Sequence, residues 1–462
     1  MTAGASLVLC LRAAALLAVH AALGASVLRG ARARPVRAAG ATGAAAVGAL
    51  LALEAVFLAV LGLVPLLVFV ALLASVTVAQ RTWAPLPSRV PSRARRRPAV
   101  VVSIALGCVA LAVAFVAMRP PVPLYWDEFI WLGKARLVAE GASTLRDATL
   151  DARVVVPAGY PLFWPVAVGW LAAHRTDAAA LVMAARTLVA TTAVIYLGAL
   201  GARARHRGWV YATVAVAVVS APFVFVHLRS VYVDLPVGLL IAALAALLVV
   251  PASRSSAVVV AVVAAALASA KDEGFVHVAV VATVAMVPAL RARRASRLLS
   301  PLAAWVGAAV PFLAWRILLV EHGATDPDHG LGMPDLATVT PLLRIFASHA
   351  LDLRSWGLFW PIAVGVVLSE VTRRDARGGA ARLFATMLAC DVAAVFVGLT
   401  ACPERVHEFA EAGTLVGRLL LQEAPLAILM VAEVVDVRVA RSSSAPRTSA
   451  RARVDRRGVA MP

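Results

Sequence analysis

Two adjacent carboxylates, Asp127 and Glu128, stand in the stretch Tyr125-Trp126-Asp127-Glu128-Phe129, just beyond a long apolar run that ends at Met118. Carboxylates at such an edge can accept a proton or help hold a divalent cation. Burying them is expensive, which argues against incidental placement. The plainer alternative is an acidic pair opening a surface helix, where negative charge suits the positive end of the helix dipole.

Other charged groups recur at the ends of apolar runs. Asp234 lies in Ser230-Val-Tyr-Val-Asp-Leu-Pro236, where it could equally cap the following helix with Pro236 in the first turn. Lys271-Asp272-Glu273 interrupts an apolar region, either as a functional cluster or as charges that neutralise one another in a tight turn. Arg186 and Arg418 each fall one or two turns into an apolar run. Arginine in such a place calls for a carboxylate or phosphate partner. Lys134 and Lys271 are the only lysines, and a compact ammonium can bind phosphate as a point charge. An ordinary interfacial lysine is the alternative for Lys134. The histidines are scattered, with no pair at ligand spacing on one helix, so spacing alone shows no fixed metal site. The four cysteines form no disulfide framework.

The elements that must position these groups are membrane spans. Apolar residues make up 62% of the chain and charged residues 15%, which excludes a set of soluble domains. Runs approaching the roughly 20 residues a span needs fall near 4–28, 41–61, 64–80, 99–118, 178–201, 208–226, 235–250, 257–270, 274–290, 299–319, 355–371, 382–400 and 414–436. The expected fold is therefore all-α and polytopic, with about thirteen transmembrane helices. Residues 1–98 form an N-terminal membrane segment with three helices, 99–436 the main membrane domain, and 437–462 a basic, disordered cytoplasmic tail.

The net charge of +19 could suggest nucleic acid, but the arginines sit in short loops between apolar runs. With the N-terminus outside, the inner segments hold 29 arginines against two acids, and the outer segments hold 11 basic and 17 acidic residues. That asymmetry is the positive-inside rule. It puts Asp127 and Glu128 on the outer face and excludes nucleic acid as the partner, leaving membrane lipid for the basic tail.

The loop 119–177 is the longest on the outer side. Pro120, Pro121 and Pro123 end the preceding helix. From Asp127 to Gly141 the pattern predicts an amphipathic juxtamembrane helix, with Phe129, Leu132, Leu137 and Val138 apolar and Lys134, Arg136 and Glu140 polar. The piece from Tyr160 to Trp170 is too short and proline-broken to span, and its aromatics suit the membrane interface.

The order of these features resembles a family. Asp127-Glu128 leads to Ala135-Arg136 and Gly141. The patch Gly159-Tyr160-Pro161-Leu162 follows, then Ala185-Arg186 opening a span, Asp234 with Pro236, Lys271 to Gly274, and Gly417-Arg418 before Pro425. Over residues 99–436 this is similar to the GT-C superfamily of integral-membrane glycosyltransferases, in the branch with lipid-A aminoarabinose transferases and protein O-mannosyltransferases. Three spans precede the one before Asp127, where the family usually has the acidic motif after its first span. The proline patch lacks the His-Pro-Pro form of many relatives.

The resemblance implies a bacterial cell-envelope enzyme of the inner or plasma membrane, with its active site facing outside. It would move a sugar from a polyprenyl-phosphate carrier to a lipid, glycan or protein acceptor. Asp127 would be the base, Glu128 would orient it or help hold a divalent metal, and Asp234 would be a second acidic group able to share that metal. Lys271, Arg186 and Arg418 would face the lipid phosphate, with Lys134, Arg136 and Tyr160 as further substrate-binding residues. A transporter or flippase for an anionic substrate could use the same charges, although the chain shows no internal repeat. A non-catalytic envelope-assembly subunit is the third reading.

Overall fold

The computed structural model describes residues 126–140, 161–172, 175–203, 222–249, 254–321, 323, 332–372, 379–402 and 404–444. Every regular element among them is helical. The α-helices are α1 (Trp126–Glu140), α2 (Phe163–Leu171), α3 (Ala178–Arg203), α4 (Pro222–Arg229), α5 (Asp234–Val249), α6 (Arg254–Ala270), α7 (Asp272–Arg291), α8 (Leu299–Glu321), α9 (Leu336–Ala350), α10 (Leu353–Trp356), α11 (Phe359–Thr372), α12 (Gly379–Thr400), α13 (Glu404–Glu411) and α14 (Thr414–Ser444).

Four helical segments are long and apolar enough to cross a membrane: Asp272–Arg291, Ala295–Glu321, Gly379–Thr400 and Leu415–Arg438. Shorter apolar helices cover Ala178–Ala193, Asp234–Val249, Ser256–Ala270 and Phe359–Thr372. These eight correspond to eight of the thirteen expected spans. The spans expected at 4–28, 41–61, 64–80 and 99–118 lie outside the described residues, as does most of 208–226. The span expected at 355–371 is interrupted. α10 ends at Gly357, whose φ of 58° suits glycine and turns the chain before α11.

The apolar surface is what lipid requires. Leu302, Val306, Val310, Leu313, Ile317 and Val320 form an exposed stripe along α8. A contiguous stripe of that kind would be a liability in water and is ordinary in a bilayer. The ends of α7 carry opposite chemistry: Lys271, Asp272 and Glu273 at its start, and Arg291, Arg293 and Arg294 at or just past its end.

α5 is the centre of the bundle. It is buried almost throughout and packs against α3, α6, α7 and α14. Its approach to α14 depends on Gly238, because a Cβ there would lie 2.9 Å from the Gln422 Cα. The Tyr196 hydroxyl on α3 donates to the Pro425 carbonyl at 3.1 Å, tying α3 to α14 next to its proline.

Within the 160–170 patch, Phe163 and Trp164 of α2 are fully buried, because α2 packs against α1 and α3. Nine residues cannot span, so burial against neighbouring helices is how this apolar segment leaves water. α1 also turns differently from its expected amphipathic register. Phe129 is 55% exposed, whereas Lys134 is buried along with Trp131, Ala135 and Val138. The face toward α2 decides the register, with Gly169 of α2 in close approach to the Ala135 carbonyl. α14 also runs past Asp436 to Ser444, into the stretch expected as disordered tail, and residues 445–462 lie outside the described residues.

Candidate functional site

Asp234 opens α5 at the end of the turn that follows α4. Its carboxylate is fully buried, and donors from three positions converge on it. Lys271 Nζ lies 3.1 Å from Oδ1. Arg418 Nε donates to Oδ2 at 2.8 Å, and Gln422 Nε2 donates to Oδ1 at 2.6 Å. Arg418 and Gln422 lie one turn apart on α14, so a single helix face presents both. Lys271 is the extended residue between α6 and α7, and its ammonium also lies 2.9 Å from Glu273. Taken alone, a buried carboxylate would be unstable; two cations and an amide make its charged form tolerable.

The Arg418 guanidinium carbon sits 4.2 Å from the Tyr232 ring centroid, a cation–π geometry. Beyond Tyr232 the rings continue through His227 and Phe223 to Trp356, with successive centroids 5.8, 4.6 and 5.2 Å apart. Arg418 is the partly exposed member of the cation pair, at 13%, whereas the Lys271 side chain is 2% exposed.

Glu128 connects α1 to this site. Its Oε1 accepts from the Val231 backbone N–H at 2.9 Å. The Ser230–Val233 turn that carries Val231 is held by the Ser230 hydroxyl, which donates to the His227 carbonyl at 3.0 Å. α1 is thereby fixed to the turn from which Asp234 emerges.

A second polar group lies behind Gln422. Its Oε1 faces His277 Nε2 at 3.0 Å. His277 Nδ1 lies 3.0 Å from both Asp391 carboxylate oxygens and 3.7 Å from Glu423 Oε1. The ligand atoms of His277, Asp391 and Glu423 all fall within 4.8 Å of one another, so these buried residues could hold a metal ion. Lys271, Asp234, Gln422 and His277 therefore form one continuous polar chain from the α6–α7 turn into the bundle.

The structure brings Asp234, Lys271 and Arg418 together and links Glu128 to them. Asp127 lies in the first turn of α1, and its side chain is outside the described residues, as is the whole of Tyr160. Arg136 forms an exposed pair with Glu140 at 2.7 Å and stands apart from the buried cluster. Lys134 is buried on α1, and Arg186 is buried on α3, the helix that packs against α5. Glu128 and Asp234, the two residues expected to share a metal, are engaged differently: one accepts from a backbone N–H, the other holds two cations. Among the described residues, the group whose spacing could hold a metal ion comes from α7, α12 and α14.

Sequence reading missed Gln422, Asp391 and Glu423, and passed over His277 because it looked for ligand spacing on one helix. An alternative signal was present: each is a polar residue inside an apolar run. No model of a known family matches the chain, and no curated protein or solved structure matches it either.

Proposed function

We propose that the protein is a multi-pass glycosyltransferase of the bacterial plasma membrane with its site on the outer face. In this reading it moves a sugar from a polyprenyl-phosphate donor to a lipid, glycan or protein acceptor. One observation carries the reading. The buried Asp234 gathers Lys271 and Arg418 from different helices, and Glu128 ties the helix bearing Asp127 to the same turn. An anionic lipid headgroup needs cations at the edge of a span, and an acceptor hydroxyl needs a nearby carboxylate.

In the proposed reaction the acceptor oxygen attacks the anomeric carbon. The bond from that carbon to the phosphate oxygen breaks, and the polyprenyl phosphate leaves with the electron pair. The acceptor proton passes to the Asp127 carboxylate. Arg418, the more exposed cation, would meet the leaving phosphate, while Lys271 adds charge from behind. The aromatic series from Tyr232 to Trp356 packs beside it inside the protein, and Phe223, the partly buried ring of the series, would be the apolar face nearest to a sugar ring or prenyl chain.

The test is transfer from a synthetic polyprenyl-phosphate sugar by purified protein in nanodiscs. Asp127→Asn keeps the shape but cannot take the proton, so the rate should fall by about 10²–10⁴. An unchanged rate in correctly inserted Asp127→Asn would remove the base assignment. The polar chain from Lys271 to His277 supports a second reading, a transporter or flippase, because intramembrane charges often mark ion or substrate pathways. Movement of labelled lipid without covalent transfer would favour it.

A further inference from the structure

We propose that His277, Asp391 and Glu423 bind a divalent first-row transition ion, with Zn²⁺ as the reference, and that Gln422 couples this ion to Asp234. The proposal is independent of which substrate the protein handles.

The first support is the orientation of Gln422. Its Nε2 donates to Asp234 Oδ1 at 2.6 Å, which turns Oε1 toward His277 Nε2 at 3.0 Å. A carbonyl-type oxygen can only accept, so Nε2 must carry a hydrogen. In the neutral imidazole the Nδ1 lone pair then points at Asp391 and Glu423. That arrangement calls for positive charge at Nδ1: a proton there would answer Asp391 at 3.0 Å but leave Glu423 at 3.7 Å uncompensated, whereas a divalent ion answers both carboxylates.

The second support is Glu423 itself. It is 3% exposed, and among the described residues no hydrogen-bond donor reaches either of its carboxylate oxygens. A buried carboxyl group without a hydrogen-bond donor, directed at a second carboxylate and with an imidazole nitrogen no nearer than 3.7 Å, needs either its own proton or positive charge beside it. A divalent ion with neutral His277 and two carboxylates is neutral overall, which suits the interior of a helix bundle.

The spacing and donor set agree. Ligands about 2.0–2.1 Å from a tetrahedral zinc ion lie about 3.3–3.4 Å apart. The separations from Nδ1 are 3.0 and 3.7 Å, on either side of that value. One imidazole and two carboxylates leave a fourth position for water. Gln422 takes the outer-shell role: it accepts from the N–H of a ligating histidine and fixes the ring. The ion would pin α7, α12 and α14 together and set the direction of the amide that holds Asp234.

The experiment uses the full chain purified in detergent without chelators. Metal analysis should find zinc or a related ion in stoichiometric amount. After chelation, Co²⁺ should restore visible d–d bands of tetrahedral intensity, and Zn²⁺ should displace them. X-ray absorption of the zinc-loaded wild type should show oxygen and imidazole scattering without sulfur. Glu423→Gln keeps the shape and should abolish stoichiometric loading. Gln422→Leu should weaken Zn²⁺ binding about 10- to 100-fold. Wild-type protein that holds no such metal and gives no Co²⁺ bands would overturn the proposal and leave the carboxylates bridged by a proton. Unchanged loading in folded Glu423→Gln would also overturn it, by placing any metal elsewhere. If Glu423→Gln does not fold, the Co²⁺ and absorption measurements on the wild type decide.

Discussion

Gln422 donates to Asp234 at 2.6 Å, and that bond fixes the direction of its whole amide. The opposite end then faces His277 at 3.0 Å, so one uncharged side chain joins two buried polar groups. Replacing Gln422 by Leu leaves Asp234 with one donor fewer and the His277 N–H without its acceptor. A hydrogen bond to a charged group is worth about 1.5–3 kcal/mol. Gln422→Leu should therefore lower unfolding free energy by at least about that amount, measured by equilibrium unfolding in mixed micelles. A change within a few tenths of a kcal/mol would mean that the amide is not holding Asp234 in solution.

Asp234→Asn removes the charge that two cations share while keeping the side-chain volume. Lys271, at 2% exposure, then keeps its charge in the bundle without the Asp234 carboxylate, while Glu273 stays beside it at 2.9 Å. Removing one partner of a buried pair typically costs about 3–5 kcal/mol. The double variant Asp234→Asn with Lys271→Met removes the stranded ammonium as well and should recover part of the loss. Thermal unfolding of the two variants checks this ordering. If the single variant is as stable as the wild type, Lys271 and Arg418 do not depend on Asp234.

Gly238 and Gly365 make a matched pair. Alanine at 238 would place its Cβ 2.5 Å from the Gln422 carbonyl oxygen, whereas at 365 it would meet nothing within 4 Å among the described residues. Gly238→Ala should force α5 and α14 apart, at about 1–3 kcal/mol. Gly365→Ala should be neutral or stabilising by about 0.5–1 kcal/mol, because alanine suits a helix interior. Comparing melting temperatures of the two variants gives the answer, and equal shifts would contradict the close approach at Gly238.

The parts of this structure that were legible in the sequence are those governed by local chemistry. Apolar runs gave the helices, and Asp234, Lys271 and Arg418 stood out because charge is rare in such runs. Their convergence could not be read, since residues 234, 271 and 418 meet only through packing of α5, the α6–α7 turn and α14. The same holds for His277, Asp391 and Glu423, one residue from each of three helices. Lys134 was misplaced for a related reason. Amphipathic patterning describes a helix against a bilayer surface, but α1 packs on α2, and that contact sets its register. The break at Gly357 was also hidden, because glycine within an apolar run is compatible with a span until its backbone conformation is known.

Glu128 gives the sharpest test of how α1 is held. Its Oε1 accepts from the Val231 N–H at 2.9 Å, joining α1 to the turn that delivers Asp234. Both groups are buried, so an unmade bond would leave a backbone N–H unsatisfied. Glu128→Gln retains a side-chain oxygen acceptor at the same reach and should be mild. Glu128→Ala removes the acceptor and should cost about 1.5–3 kcal/mol. The local signature matters more than the total. Hydrogen exchange should accelerate at Val231 and along residues 126–140 in Glu128→Ala, and stay near wild type in Glu128→Gln. If Glu128 instead served chiefly as a metal ligand, Glu128→Gln and Glu128→Ala would be comparably severe and both would lower metal content. Equal exchange at Val231 in the wild type and Glu128→Ala would show that α1 is held to the site by other contacts.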